Sequence, residues 1–385
     1  MKKIGILTMY YNSINYGGTL QAYALQRYLE NKGFESKQIC FQKKGLGLKN
    51  SIKLHYKELG FFSTIFWGID RIQKNISGKI SNKIISKAEK KLYSERKQKF
   101  ESFRNDIPHT IKVYNSNTIS ETNRDFDIFC CGSDQIWKPG VVCSEYMLGF
   151  VNKEKKKISY AASISKTNIL KDDIANMIPY LNSFDKISVR EEFDKDLLKK
   201  YLKNDVEWVV DPTLLLDKED WEKLYIKNLV KEDYVFVYLL EANKKKYKII
   251  EKFAKEKNLK IVTIPFASGT LNLNDRRFGD IHMTNAGPKE FITLIHDAKL
   301  VITDSFHATV FSNIFKTDFF VLERTEAPTM NSRIISLLKM FNRNEKFIED
   351  KELENQNLGY KFNSENKYSK MKELSEKYLL SSIDK

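Results

Sequence analysis

Among five histidines, His307 stands where the local pattern suits proton transfer. Leu300-Val301-Ile302-Thr303-Asp304-Ser305-Phe306-His307-Ala308-Thr309 reads as a short buried strand that turns directly into a helix. Val301 and Ile302 are β-branched and suit a strand covered on both faces. Asp304 or Ser305 caps the helix, and Val310, Phe311 and Ile314 continue it with an apolar face. His307 therefore falls in the first helical turn, at the positive end of the dipole, where open α/β sheets bind anions. An imidazole there is able to exchange protons near neutral pH. A lone histidine at a helix–sheet junction is more often a packing residue, so the weight of this reading depends on other strand ends.

Several of them carry polar groups. Asn12-Ser13-Ile14-Asn15-Tyr16-Gly17-Gly18 joins an N-terminal strand to a helix, and Gly17 and Gly18 let a ligand approach the backbone at that helix start. It is neither a Walker loop nor a full dinucleotide fingerprint. The strand Phe126–Cys131 ends in Gly132-Ser133-Asp134-Gln135-Ile136-Trp137, where Asp134 is either a general base, a group that orients a hydroxyl, or an ordinary turn cap. Ile187-Ser188-Val189 delivers Arg190 to another strand end, suited to bidentate contact with a carboxylate or phosphate. A strand at Glu207–Val210 ends in Asp211-Pro212-Thr213. Arg333, near the start of a late helix, is a further anion ligand or a surface arginine.

The elements that must position these residues alternate between strand and helix, which argues for an α/β fold with parallel sheets. The first half closes near Asn228, giving an N-terminal α/β domain over residues 1–228 and a second over 229–345. A tail over 346–385 spaces Tyr368, Met371, Leu374 and Tyr378 at helical intervals and is expected to pack back on the body. With 385 residues and 42% hydrophobic content, the chain is long enough for two cores.

The net charge of +15 is concentrated: residues 43–112 hold 17 Lys and Arg against 6 Asp and Glu. The same stretch carries Leu59, Phe61, Phe62, Ile65, Phe66, Trp67, Ile69 and Ile72, and reads as a basic helical insertion over about 45–110. Two readings stand together: a helix lying on an anionic membrane, or an insertion with a core-facing stripe and a solvated lysine face. No motif for nucleic acid is present. Cys40, Cys130, Cys131 and Cys143 lack metal-ligand spacing, and the histidines are scattered, so no metal is expected. The apolar run after Lys3 breaks at Asn12, too short for a signal peptide, and no stretch approaches a membrane span. A cytoplasmic protein with reduced cysteines is expected.

Together the motifs are specific. Asn15-Tyr16-Gly17-Gly18-Thr19-Leu20-Gln21-Ala22-Tyr23-Ala24-Leu25-Gln26, Gly132–Trp137, Ser188-Val189-Arg190-Glu191, Asp211-Pro212-Thr213 and Thr303–His307 resemble, in order, the polysaccharide pyruvyl transferase family. The resemblance covers the chain from residue 1 to about 340. Two positions depart from it: Ala308 replaces the glycine that usually follows the histidine, and Lys138 replaces a common asparagine. The resemblance implies two Rossmann-like domains facing across a cleft, in the manner of B-type glycosyltransferases. It also implies transfer of a pyruvyl group from phosphoenolpyruvate to a sugar of a cell-surface polysaccharide precursor, often lipid-linked. A cyclic ketal would form and phosphate would leave, with phosphoenolpyruvate as donor substrate and no cofactor.

On that reading His307 is the acid or stabilises the departing phosphate, Asp134 is the base or orients the acceptor, and Asp304 orients His307. Asn15, Gly17, Gly18, Ser133, Gln135, Arg190, Ser305 and Arg333 contact substrate. A lipid-linked acceptor would put the enzyme at the inner membrane face. The rival readings are a nucleotide-sugar glycosyltransferase of the same fold, for which no nucleoside motif is visible, and a non-catalytic carbohydrate-binding relative.

Overall fold

Short runs of β-branched and aromatic residues build two parallel sheets, one in each half of the chain. The computed structural model describes residues 2–42, 86–139, 143–165, 171–241, 243–265, 273–325, 330–357, 359 and 367–384. In the first half, β1 (Lys3–Leu7), β2 (Glu35–Gln38), β3 (Ile128–Cys131) and β4 (Lys156–Ser159) pair in the order β2-β1-β3-β4, all parallel. β5 (Ile187–Val189) and β6 (Val206–Trp208) form a second parallel pair. Single bridges from Ile158 to Lys186 and from Ala162 to Val189 tie that pair to the edge of the first sheet. In the second half, β7 (Tyr234–Tyr238), β8 (Lys260–Thr263), β9 (Ile281–His282), β10 (Leu300–Thr303), β11 (Phe319–Leu322) and β12 (Phe347–Ile348) stand in the order β12-β11-β10-β7-β8-β9. These too are parallel throughout.

Each strand expected from the sequence is present, with ends differing by a few residues. β2, β9 and β12 escape sequence reading for a physical reason. β2 is Glu-Ser-Lys-Gln and draws on backbone pairing with β1 rather than on apolar side chains, while β9 and β12 are two residues long. Cys130 and Cys131 face opposite sides of β3 and enter different core clusters. None of the four cysteines is in a disulfide.

The halves share one apolar core cluster, and two helices tie them further. The C-terminal helix Tyr368–Ile383 returns to the first half: Tyr378 Oη donates to the Ser159 carbonyl at 3.0 Å, and Ser375 Oγ accepts from Val210 N at 2.9 Å. The helix Lys87–Asn105 lies within the predicted basic insertion and opens with a capping box between Ser86 and Glu89. It docks on the second half rather than exposing all its charge. Arg96, 1% exposed, donates to the carbonyls of Thr284 at 2.7 Å and Pro265 at 2.8 Å. Arg276 grips Glu89 through two bonds of 2.7 and 2.9 Å, and Lys99 pairs with Glu290. Charge-assisted bonds of this kind are short and directional, which suits a strut between halves. Residues 43–85 of the basic segment lie outside the described residues, and with them the apolar run from Leu59 to Ile72.

Candidate active site

The carboxyl ends of β1, β3, β7, β10 and β11 converge on one cavity of about 620 Å³ between the halves. This is where parallel sheets leave backbone N–H groups and loop side chains free for ligands. The first half contributes Ser13 through Gly17 after β1, and Asp134, Gln135 and Lys138 after β3. The second contributes Tyr238 and Leu240 after β7, Ser305, Phe306 and His307 after β10, and Arg324 after β11, together with Arg333.

Two helix N-termini face this space. Asn15 caps the helix Tyr16–Asn31, its carboxamide oxygen accepting from Gly18 N at 3.1 Å. Ser305 caps the helix Phe306–Phe315 by accepting from Ala308 N at 3.5 Å. Short polar caps free the backbone to turn sharply out of the strand, and they put the positive ends of two dipoles on opposite walls. Among the described residues, Arg324, Arg333 and Lys138 add positive charge to the lining, against the carboxylate of Asp134. The arrangement suits a small polyanion beside a hydroxyl-bearing group that stacks on Tyr238 and Phe291.

His307 enters from the second half and lodges against Gly17 of the first. A Cβ on Gly17 would fall 2.0 Å from His307 Nδ1, so only glycine permits the approach. On its other side His307 Nε2 lies 3.7 Å from Asp211 Oδ2. Asp211, fully buried, also accepts from Arg190 Nη1 at 2.9 Å and from Thr213 N at 3.0 Å. Burial would raise the Asp211 carboxyl, but His307, Arg190 and Thr213 together hold it far below the usual carboxylate range. Asp134 adopts φ of +68°, a left-handed conformation that aspartate tolerates better than most residues. Its carbonyl accepts from Ser163 N and Ile136 N, which pins the loop, while its carboxylate stands 3.7 Å from Arg190 Nη1.

Asn15, Gly17, Asp134, Gln135, Ser305, His307 and Arg333 thus share one cavity, but four other expectations need correction. Arg190 is not on the wall. Its guanidinium lies behind the Phe306 ring at 4.4 Å and is engaged by Glu191 and Asp211 at 2.9 Å each. Burial disfavours its charge, yet Glu191, Asp211 and Asp134 reverse that and push it above the usual arginine range. Asp304 does not orient His307: its two carboxylate oxygens accept from Leu240 N at 2.7 Å and Glu241 N at 2.8 Å, fixing the loop after β7. Ser133 is buried behind the wall, where its hydroxyl donates to the Ala161 carbonyl at 2.7 Å. Gly18 serves as the donor to the Asn15 cap instead of lining the cavity.

Arg333 is buried within the wall. Its desolvation and the nearby charge of Arg190 push its pKa down to about 10. The Gln135 carboxamide oxygen, in the orientation that satisfies both side chains, accepts from Arg333 Nη1 at 2.8 Å. The sequence reading missed Arg324, whose Nε and Nη2 donate to the Asp304 carbonyl at 3.0 and 2.7 Å. Arg324 lies two residues past the apolar strand Phe319–Leu322, so a strand-end rule that looks one residue further than the one that selected Arg190 would have found it. Among the described residues no group of His, Cys, Asp and Glu is placed to hold a metal ion.

The fold is shared with known enzymes. UDP-GlcNAc 2-epimerase from Methanocaldococcus jannaschii, solved in complex with UDP-GlcNAc and UDP, superposes with a TM-score of 0.50 at 16% identity, over 99% of this chain and 100% of that one. A second structure of that epimerase gives 0.50 at 14% identity, over 98% and 100%. A Listeria monocytogenes protein presumed to be a UDP-N-acetylglucosamine 2-epimerase gives 0.50 at 11%, over 96% and 94%. The architecture is therefore of the glycosyltransferase-B type, two Rossmann-like domains facing across a cleft. No curated protein matches the chain in sequence. The family model of polysaccharide pyruvyl transferase matches residues 15–326, a span that runs from the Asn15 cap past His307 to the loop after Arg324, and the chain belongs to that family.

Proposed function

We propose that this pyruvyl transferase takes phosphoenolpyruvate as donor and forms a cyclic ketal across two hydroxyls of one sugar, on a cell-surface polysaccharide or its lipid-linked precursor. The observation that carries this reading is the pairing, in one cavity, of a cationic wall with two groups fit for proton transfer, His307 and Asp134. Arg324, Arg333 and the facing helix N-termini would hold the phosphate and carboxylate. His307 delivers a proton to the methylene carbon C3, leaving C2 electrophilic. A sugar hydroxyl adds to C2 while Asp134 takes its proton. The bond from C2 to the phosphate oxygen then breaks, the phosphate leaving with the bonding pair, and the second hydroxyl closes the ring on C2. Of the two hydroxyl protons, one ends in the new methyl group and the other on the phosphate. Acid–base steps of this kind each contribute roughly 10²–10⁴-fold.

The membrane setting belongs to the same proposal. A lipid-linked acceptor sits at an anionic surface, and the excess of Lys and Arg over residues 43–112 would favour contact with it. No helix among the described residues is long and apolar enough to cross a membrane.

The test is calorimetric titration of phosphoenolpyruvate into the wild type and Arg324→Gln. Binding in the wild type that is lost in the variant supports the donor assignment. Absence of binding with and without sugar acceptors, together with saturable binding of a nucleotide sugar, would replace this reading with glycosyl transfer.

A further inference from the structure

His307 and its surroundings belong to different halves of the chain, and this division assigns a role to Asp211. The imidazole is carried by the helix Phe306–Phe315 of the second half, while both groups that bracket it, Gly17 and Asp211, come from the first. Its two ring nitrogens are not equivalent. Nε2 is buried, makes no hydrogen bond, and faces Asp211 Oδ2 at 3.7 Å. Nδ1 borders Gly17, which lines the cavity. The carboxylate is itself rigidly held, by Arg190 at 2.9 Å and by Thr213 N and Oγ1 at 3.0 and 2.7 Å on the oxygen away from the histidine. Ser133 Oγ adds a contact at 3.3 Å.

We propose that Asp211 is a positioning residue for His307: it accepts a hydrogen bond from Nε2–H, so that the proton His307 delivers to the substrate is the one on Nδ1, and it makes this bond fully only when the two halves close. The gap of 3.7 Å exceeds hydrogen-bond range by about half an ångström or more, a distance a slight closure of the cleft would remove. The contact would then sense substrate, because anions bridging the walls draw His307 toward Asp211. The remaining charged groups around the pair favour this role. Arg190 and Asp134 stand next to Asp211 at opposite signs, Arg190 at 2.9 Å and Asp134 beyond it at 3.7 Å from that guanidinium. Asp211 therefore keeps its negative charge while having one oxygen directed at the imidazole.

The inference rests on the catalytic role of His307 proposed above, so its test has one arm free of that role. Ring-nitrogen NMR of the wild type, with phosphoenolpyruvate added and at a pH where the imidazole is neutral, should report His307 as the Nε2–H tautomer, and in Asp211→Asn this preference should weaken. An Nδ1–H tautomer in the wild type would overturn the proposal whatever the enzyme catalyses, and it decides the matter even if the variant fails to fold. In the activity arm, Asp211→Asn should lose roughly 10²–10⁴-fold in kcat, the range of the proton transfer it supports, with little change in KM for phosphoenolpyruvate. The limb of the pH–rate profile that depends on protonated His307 should also move to lower pH. Asp211→Glu should recover part of the rate. A fall in kcat with an unmoved pH profile would reduce Asp211 to a packing residue. The expected tautomer with no pyruvyl transfer would leave the positioning role intact and remove the functional reading instead.

Discussion

Gly17→Ala is the sharpest probe of the cleft. The added Cβ falls 2.0 Å from His307 Nδ1 and 2.5 Å from its Cε1 and Cγ. Carbon atoms rest at about 3.5–4.0 Å, so the imidazole must retreat by about 1.5 Å or the halves must part by as much. A misplacement of about 1 Å at a reacting group already costs roughly 10²-fold in rate. Activity should therefore fall by about 10²-fold or more. Stability should change much less. Overpacking costs about 1–3 kcal/mol, and alanine regains up to about 1 kcal/mol as the better helix former. The net loss of about 0–3 kcal/mol would lower Tm by at most several degrees in a chain of this size.

Gly18→Ala is the matched control, since the nearest atoms to its Cβ are Met9 O at 3.1 Å and Asp134 Oδ2 at 3.5 Å. It gains the same helix propensity without meeting the histidine, and should stay within about tenfold of wild type. The assay is phosphoenolpyruvate-dependent phosphate release, with thermal melting run on the same samples. Wild-type turnover in Gly17→Ala would refute the placement of His307 at the reacting centre. Equal damage from both substitutions would show that the loop tolerates no side chain at all, and the argument from the clash would fail.

Three further outcomes follow from the geometry. His307→Gln should abolish phosphate release while leaving the melting temperature within a few degrees of wild type, because the buried Nε2 has no hydrogen bond to lose; retained turnover would remove it from the mechanism. Arg190→Ala should act on the fold before it acts on substrate. It leaves Glu191 and Asp211 buried without their partner, a loss of about 3–5 kcal/mol that urea unfolding would measure. Asp194, pushed far up by burial and by the neighbouring Glu191 charge, binds a proton in the folded state that the unfolded chain releases above about pH 4. Folding therefore takes up that proton, and stability declines as pH rises beyond this point. Asp194→Asn, which keeps an oxygen for Ile164 N, should gain in relative stability between pH 5 and pH 8, checked by melting at about those two values.

Much of this protein is written in its local sequence. Alternation of apolar runs with helical periodicity specified the parallel sheets, because a strand buried on both faces must be apolar along its whole length, as Phe319-Phe320-Val321-Leu322 is. Strand-end motifs then named His307, Asp134, Asn15 and Gly17, because parallel sheets place their ligand loops at one predictable end. Only the tertiary structure decided how those groups are used. That Arg190 anchors Asp211 from behind Phe306, that Asp304 clamps the loop at Leu240, and that Ser133 faces inward all depend on distances between residues 20 or more positions apart. Local patterns carry no information about which of two buried partners a charge will find. The pairing of His307 with Gly17 and Asp211 is the clearest instance. The chain supplies each residue type, but the contact exists only because the two sheets meet across a shared apolar core, with the strut Lys87–Asn105 and the returning helix Tyr368–Ile383 bridging the halves.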